Sequence, residues 1–161
     1  MRFMITVFFL AAASHANAAF LNTSPSASCN YLTGNGLATR GWENQYDNEF
    51  GCSSPYKEIG TGVPLSNNLA YYVEGSSSEA RLAKLVVNIN NKTLAGSAYA
   101  ELLQASQELS LKLSGVSLPE EISSAIKNGK KASAKAGNTA IQVIRIDWPT
   151  GKGHELKVFF Q

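Results

Sequence analysis

The feature that most constrains the fold is a pair of β-rich runs at the C-terminal end of the chain. Residues 140–148 and 154–160 are separated by Pro149-Thr150-Gly151-Lys152-Gly153, whose proline and glycines suit a chain reversal. The runs therefore predict an antiparallel hairpin. A change of parity at residue 143 predicts a β-bulge there.

The polarity pattern also predicts which side chains of this hairpin share a face. One face is expected to carry Ile144, Ile146 and Trp148 together with Leu156, Val158 and Phe160. The other face then carries Arg145, Asp147, Glu155 and Lys157, so that opposite charges pair across the two strands.

A second hairpin and two helices precede this unit. Residues 69–74 alternate between apolar and polar positions, residues 75–78 turn the chain, and residues 82–90 alternate again. Residues 94–113 place apolar side chains at helical spacing before Ser114-Gly115, which predicts a long helix. Residues 117–120 have a capping-box pattern with a proline, which predicts a short helix that ends at Asn128-Gly129.

The order of these elements predicts an α+β fold. Two hairpins in a ββααββ order, with one further strand near residues 131–136, most simply form one antiparallel sheet. One long and one short helix are expected to cover its apolar face. The order of the strands within the sheet is left open.

The N-terminal residues indicate export. Residues 1–18 have a basic start at Arg2, an apolar run at 3–13 and a small-x-small cleavage site at Ala16-Asn17-Ala18. The apolar run is too short for a membrane span, which needs roughly 20 residues. We therefore predict a signal peptide and an exported protein without a transmembrane segment. A Gram-negative periplasm is the favoured compartment, with an extracellular location as the alternative.

Two cysteines remain after the predicted cleavage, Cys29 and Cys52. An oxidising compartment favours a disulfide between them, and their spacing fits no metal or redox motif. They lie in residues 19–68, a segment rich in Gly, Ser and Asn with a net charge of −2, whereas residues 69–161 carry +3. We interpret 19–68 as an irregular, disulfide-pinned cap or a small hairpin packed on an α+β domain at 69–161.

The candidate binding residues are concentrated inside the predicted disulfide loop. Residues 41–51 combine aromatic rings with amides and carboxylates, and Tyr56 follows shortly afterwards. Trp42, Tyr46 and Tyr56 are candidates for holding a ligand, because large rings need burial or a partner. Two further interpretations stay open: the rings cap the sheet, or Glu43, Asp47 and Glu49 supply oxygen ligands for Ca²⁺.

The C-terminal half offers two weaker candidates. Thr150 and Lys152 lie in the hairpin loop, where an exposed tip is well placed for recognition. Lysines cluster around the end of the short helix, where the helix dipole favours positive charge or an anionic surface could bind: Lys127, Lys130, Lys131 and Lys135. His154, next to the loop, is predicted to be a solvated strand-end residue.

These observations favour a non-enzymatic binding protein. The chain lacks a G-x-S-x-G motif and a phosphate-loop motif, and the mature sequence retains one histidine. We predict no cofactor, no metal and, from the balanced charge, no nucleic-acid partner. The favoured partner is a protein of the cell envelope or an exported enzyme, as for an inhibitor or immunity protein. Glycan or anionic lipid is the alternative ligand, and a small hydrolase built on Glu43, Asp47 and Glu49 is the third hypothesis.

Overall fold

A computed structural model of the chain describes residues 20–63 and 65–161. The predicted signal peptide at residues 1–18 lies outside the described residues. The described part contains eight strands and three α-helices, with 3₁₀ turns at Thr33–Asn35 and Lys92–Leu94. The helices are α1 (Pro25–Asn30), α2 (Ala95–Ser114) and α3 (Glu120–Lys127). The strands are β1 (Glu43–Tyr46), β2 (Glu49–Ser53), β3 (Lys57–Ile59), β4 (Asn67–Gly75), β5 (Ala80–Ile89), β6 (Ala132–Ala136), β7 (Thr139–Asp147) and β8 (His154–Phe160).

All eight strands form one antiparallel sheet. Its order is β1-β2-β4-β5-β8-β7-β6, and β3 pairs with β4 beside β2. The two predicted hairpins, β4–β5 and β7–β8, therefore lie side by side through β5 and β8. The predicted α+β fold is confirmed, and the extra strand expected near residues 131–136 is β6.

The helices all pack on one face of the sheet. α1 contacts β2, β4 and β5, α2 contacts β4, β5 and β8, and α3 contacts β6 and β7. The core between the layers contains Tyr71, Leu85 and Phe160 from the sheet and Leu102, Leu109 and Ile122 from the helices. No helix in the described part of the chain covers the opposite face, where Tyr72, Lys84 and Phe159 are partly exposed while Ala70 and Val86 are buried.

The N-terminal segment adds three strands to the sheet. β1 and β2 form a hairpin, and β2 and β3 run beside successive halves of β4. Cys29 of α1 and Cys52 of β2 form the predicted disulfide, with their Cα atoms 6.1 Å apart. Of the two alternatives for this segment, the packed hairpin is the one that the structure shows.

The prediction of which side chains share a face of the C-terminal hairpin is wrong, because the register of the two strands differs from the predicted one by one residue. Backbone pairing of Trp148 with Gly153 closes the loop, so Asp147 lies opposite His154 and Arg145 lies opposite Leu156. Ile144 and Ile146 therefore share the helix-free face with Lys157 and Glu155, because directly paired residues point to the same side of a sheet. The pairing runs without interruption from Ile141 to Asp147, so the predicted bulge near Val143 is absent.

The ion pairs of this hairpin follow the true register. Arg145 pairs with Asp147 at 2.7 Å, and Lys157 pairs with Glu155 at 2.8 Å. Each pair joins residues two apart on the same strand, where side chains point to the same side. The predicted pairing across the strands is therefore replaced by pairing along them.

The start of α3 also differs from the prediction. Pro119 occupies the N-cap position, and no side chain caps the helix. The capping box expected from Ser117 is absent because the helix begins at Glu120, two positions too late for that pattern. Glu120 and Glu121 in the first turn instead place negative charge near the positive end of the helix dipole.

Candidate binding surface

The helix-free side of the sheet carries the most ligand-like group of side chains. Backbone pairing aligns one row of residues across four strands: Tyr72, Lys84, Phe159 and Gln142. The next row contains Ala70, Val86, Lys157 and Ile144. We call these two rows, together with Tyr46, Tyr56 and Glu74, the open face.

The charges of the open face are largely paired. The Nζ atom of Lys84 lies 2.9 Å from Oε1 of Glu74 and 4.9 Å from the ring centroid of Tyr72. The Lys157–Glu155 pair neutralises the neighbouring row. The centre of the open face therefore combines the Tyr72 and Phe159 rings with lysines whose charges are paired.

Tyr56 and Tyr72 form the aromatic centre of this face. Tyr56 stands in the connection between β2 and β3, and 61% of it is exposed. Burial raises the pKa of Tyr72 to about 12, and the hydrogen bond and charge of Tyr56 and the charge of Glu155 act in the same direction. An exposed and a half-buried tyrosine therefore lie close to each other on this face.

A cavity of about 340 Å³ opens beside this pair, between the β1–β2 hairpin and β4. Gly51 lies at its base, because its pairing with both Glu43 and Glu74 leaves a gap where a side chain would stand. A Cβ atom on Gly51 would come within 2.8 Å of the carbonyl oxygen of Val73. Tyr46, which is 68% exposed, and Tyr72 lie on opposite sides of the cavity.

The β1–β2 hairpin beside the cavity is acidic. Residues 41–56 contain Glu43, Asp47 and Glu49 and no lysine or arginine. None of these three carboxylates forms an ion pair with a residue that the structure describes. A shift in the β1–β2 register between Asn44 and Tyr46 brings Glu43 and Tyr46 to the same face as Glu49.

The five residues proposed from the sequence are not brought together. Tyr46 and Tyr56 lie on the open face, whereas Trp42 packs against the core and donates its Nε1 hydrogen bond to the Ser76 carbonyl at 3.2 Å. Thr150 and Lys152 are exposed in the β7–β8 loop, which is at the end of the sheet where β4 begins. The β1–β2 hairpin is beside the end where β4 finishes, so these are two separate surfaces.

The remaining sequence candidates lie elsewhere. Lys127, Lys130, Lys131 and Lys135 are all exposed around the end of α3 and the edge strand β6. Lysines on an edge strand discourage pairing with other strands. In the described part of the chain, no three His, Cys, Asp or Glu side chains form a group able to hold a metal ion.

Sequence reasoning missed Tyr72, Lys84 and Phe159. The alternation in residues 69–74 already places Tyr72 on the opposite side from Leu69, Tyr71 and Val73. An aromatic residue on the polar side of an amphipathic strand was the available signal. Phe159 gives the same signal in β8, but only once the register with β5 is known.

His154 is the clearest correction among single residues. It is 3% exposed, and its Nε2 atom lies 2.6 Å from the hydroxyl of Tyr99. Its Nδ1 atom is buried and has no hydrogen-bond partner among the described residues. The prediction of a solvated residue was wrong because α2, bearing Tyr99, covers the strand end at which His154 lies.

The groups around His154 form a packed polar cluster. Arg145 donates from Nη1 to the carbonyl of Gly129 at 3.0 Å and pairs with Asp147. A Cβ atom on Gly129 would lie within 3.0 Å of both the Tyr99 ring and Nη1 of Arg145. We therefore assign this cluster to the structure of the domain.

We expect His154 to destabilise the protein in acid. Burial lowers its pKa below the ordinary 6.5; Arg145 lowers it further, Asp147 opposes the shift, and Lys92 adds a smaller lowering effect. The neutral ring is favoured in the folded state, so its stabilising contribution is complete above pH 6.5 and is lost as the pH falls through the window below that value. Chemical unfolding at pH 7 and at pH 5 should show a larger loss for the wild type than for His154→Gln. Equal losses in both proteins would contradict the assignment.

The chain has no match among protein-family profiles, curated proteins or solved structures. Within residues 20–63 and 65–161, no helix combines the length and apolar character needed to cross a membrane.

Proposed function

We propose that this is a small exported, non-enzymatic binding protein that holds a protein partner against the open face. The observation that carries the proposal is the placement of Tyr46 and Tyr72 around one cavity, with Tyr56 beside Tyr72 and the rings of Tyr46 and Tyr56 mostly exposed. Tyrosine is enriched at the energetic centres of protein interfaces because it buries a large ring while keeping a polar group paired. An inhibitor or immunity protein that acts on an exported enzyme is one form of this function.

The paired charges of the open face support a binding role. Lys84 and Lys157 already have their carboxylate partners at 2.9 and 2.8 Å, so a partner can cover them without leaving a buried charge unpaired. The sheet supplies a rigid base, because Tyr72 and Phe159 project from its central strands. A preorganised surface loses little conformational entropy on binding.

The protein is proposed to reside outside the cytoplasm, with the Gram-negative periplasm favoured. The Cys29–Cys52 disulfide supports it, since such bonds persist in oxidising compartments. The sequence of residues 1–18 supports it independently. The balanced charge of the chain remains our reason for proposing no nucleic-acid partner.

A glycan is the second candidate ligand. The cavity combines two tyrosine rings with the side chains of Gln45 and Glu49, and its volume is at the lower end of the range for small-molecule sites. This combination would suit a sugar, because the rings can stack on it and the amide and carboxylate groups can bind its hydroxyls. Direct titration with soluble cell-wall oligosaccharides tests this candidate.

The protein-partner proposal predicts site-specific capture. A photo-cross-linking amino acid at position 46 or 56 should capture one and the same protein from the exported fraction, because Tyr46 lines the cavity and Tyr56 adjoins Tyr72, which also lines it. The same amino acid at position 111 on α2, where Leu111 is 52% exposed, is the matched control and should not capture it.

The captured protein then allows a quantitative test. Tyr46→Ala combined with Tyr56→Ala should weaken its binding by more than about tenfold, the usual effect of removing interface aromatics. Leu111→Ala should leave binding unchanged. Capture at position 111 as strong as at 46 and 56, or undiminished binding by the double variant, would contradict the proposal.

A further inference from the structure

β1 has a free edge beside the proposed site. β1 is the last strand on its side of the sheet, and all four of its residues, Glu43–Tyr46, are exposed. Its backbone pairs with β2 on one side and with no described strand on the other. Unpaired strand edges accept extended segments, which continue the sheet by backbone hydrogen bonds.

The two edges of the sheet differ in the features that protect them. The opposite edge, β6, carries Lys135 and follows Lys130 and Lys131, which repel an approaching cationic strand. β1 has no lysine and no proline, and the exposed ring of Tyr46 stands beside the cavity next to it. β1 is therefore the edge at which an added strand would also gain side-chain contacts.

The acidic residues around β1 favour a cationic strand. Glu43 and Glu49 lie on the same face as Tyr46 and have no cationic partner among the described residues, and Asp47 forms the adjoining turn. Alternate residues of a strand added to β1 would point to this face, within reach of the carboxylates and of the Tyr46 ring. Arginine or lysine at those positions would gain both an ion pair and a cation–π contact.

We propose that β1 binds an extended, cationic segment of a partner protein by adding it to the sheet as a ninth strand. This inference depends on the proposed function and names the chemistry of the partner for the same site. The segment carries arginine or lysine at alternate positions facing Glu43, Tyr46 and Glu49. Its other side chains lie on the side of the sheet that bears the helices.

The probe is a blocked hexapeptide of alternating arginine and valine, and its counterpart has glutamate in place of arginine. We expect the protein to bind the arginine peptide, with weaker binding as salt rises from about 0.02 M to about 0.15 M, and not to bind the glutamate peptide. Glu43→Gln combined with Glu49→Gln should weaken binding about fivefold to tenfold. The matched control, Glu120→Gln with Glu121→Gln on α3, removes the same charge and should leave binding unchanged.

A second probe separates strand addition from attraction between charges alone. The arginine peptide with every backbone nitrogen methylated keeps its charge and loses its hydrogen-bond donors, so its binding should fall at least tenfold. Hydrogen exchange at the Glu43–Tyr46 amides should slow in the complex with the unmodified peptide.

Three outcomes of the peptide experiments would overturn the inference. They are equal binding of the arginine and glutamate peptides, equal loss in the α3 control, and undiminished binding of the methylated peptide. Self-association of the protein through β1 without peptide binding would assign the edge to a second copy and also overturn it. Cross-linked capture at positions 46 and 56 tests the proposed function separately, so that function can stand when this inference fails.

Discussion

Removing the Cys29–Cys52 disulfide should lower the free energy of unfolding by about 3 kcal/mol, the loss expected for a closed loop of about 24 residues. Both cysteines are buried, and the bond joins α1 to β2. The loss should therefore be largest for the segment that carries the cavity. Urea unfolding of Cys29→Ala with Cys52→Ala measures the total effect, and hydrogen exchange locates it.

The controls separate the bond from the packing of the two side chains. Reduction of the wild type should reproduce most of the loss, whereas the double variant should be insensitive to reductant. Hydrogen exchange should accelerate more in β1 and β2 than in β7 and β8, because the C-terminal hairpin has no covalent link to the loop. A change in stability below about 0.5 kcal/mol, or a uniform increase in exchange, would contradict this account.

Periodicity was sufficient to predict the central elements of this fold. β4, β5, α2, β7 and β8 each have the alternation or helical spacing that burial on one side requires, and their observed ends fall within about two residues of the predicted ends. Register was not predictable in the same way. The backbone closure of Trp148 with Gly153 determines the facing of β7 against β8, and a slip of one residue exchanges every side chain between the faces.

The N-terminal strands lacked a periodic signal for a physical reason. β1 has the sequence Glu-Asn-Gln-Tyr and is exposed on both sides, so no alternation of burial could mark it. β2 contains Gly51, which is unfavourable in an isolated strand but fits where the Val73 backbone approaches closely. These strands form because β4 offers a pairing edge, which is a property of the folded sheet.

The candidate site was predictable in part. An excess of aromatic residues in a polar segment singled out Tyr46 and Tyr56, which lie on the open face. The same signal selected Trp42, and only tertiary packing distinguishes it from the other two. Large rings need burial or a partner, and the amino-acid composition does not distinguish the buried rings from those that bind a partner.

Tyr71 is a core residue that directly precedes a residue of the proposed binding surface. Its side chain is fully buried, and its hydroxyl donates a 2.8 Å hydrogen bond to the Ser28 carbonyl in α1. The next residue, Tyr72, points to the open face, because successive residues of a strand alternate in direction. The packing of α1 on Tyr71 therefore supports the same stretch of β4 that bears the candidate site.

Tyr71→Ala should lower the free energy of unfolding by about 4 kcal/mol, through lost burial and the cavity left behind. Tyr71→Phe keeps the ring and removes only the hydrogen bond to Ser28, so its cost should be about 1 kcal/mol. Urea unfolding of both variants gives the two values, and binding of the partner captured at position 56 gives the functional effect. Tyr71→Phe should bind that partner as the wild type does, because the hydroxyl faces α1; a binding loss as large as that of Tyr46→Ala with Tyr56→Ala would mean that the hydroxyl acts at the surface.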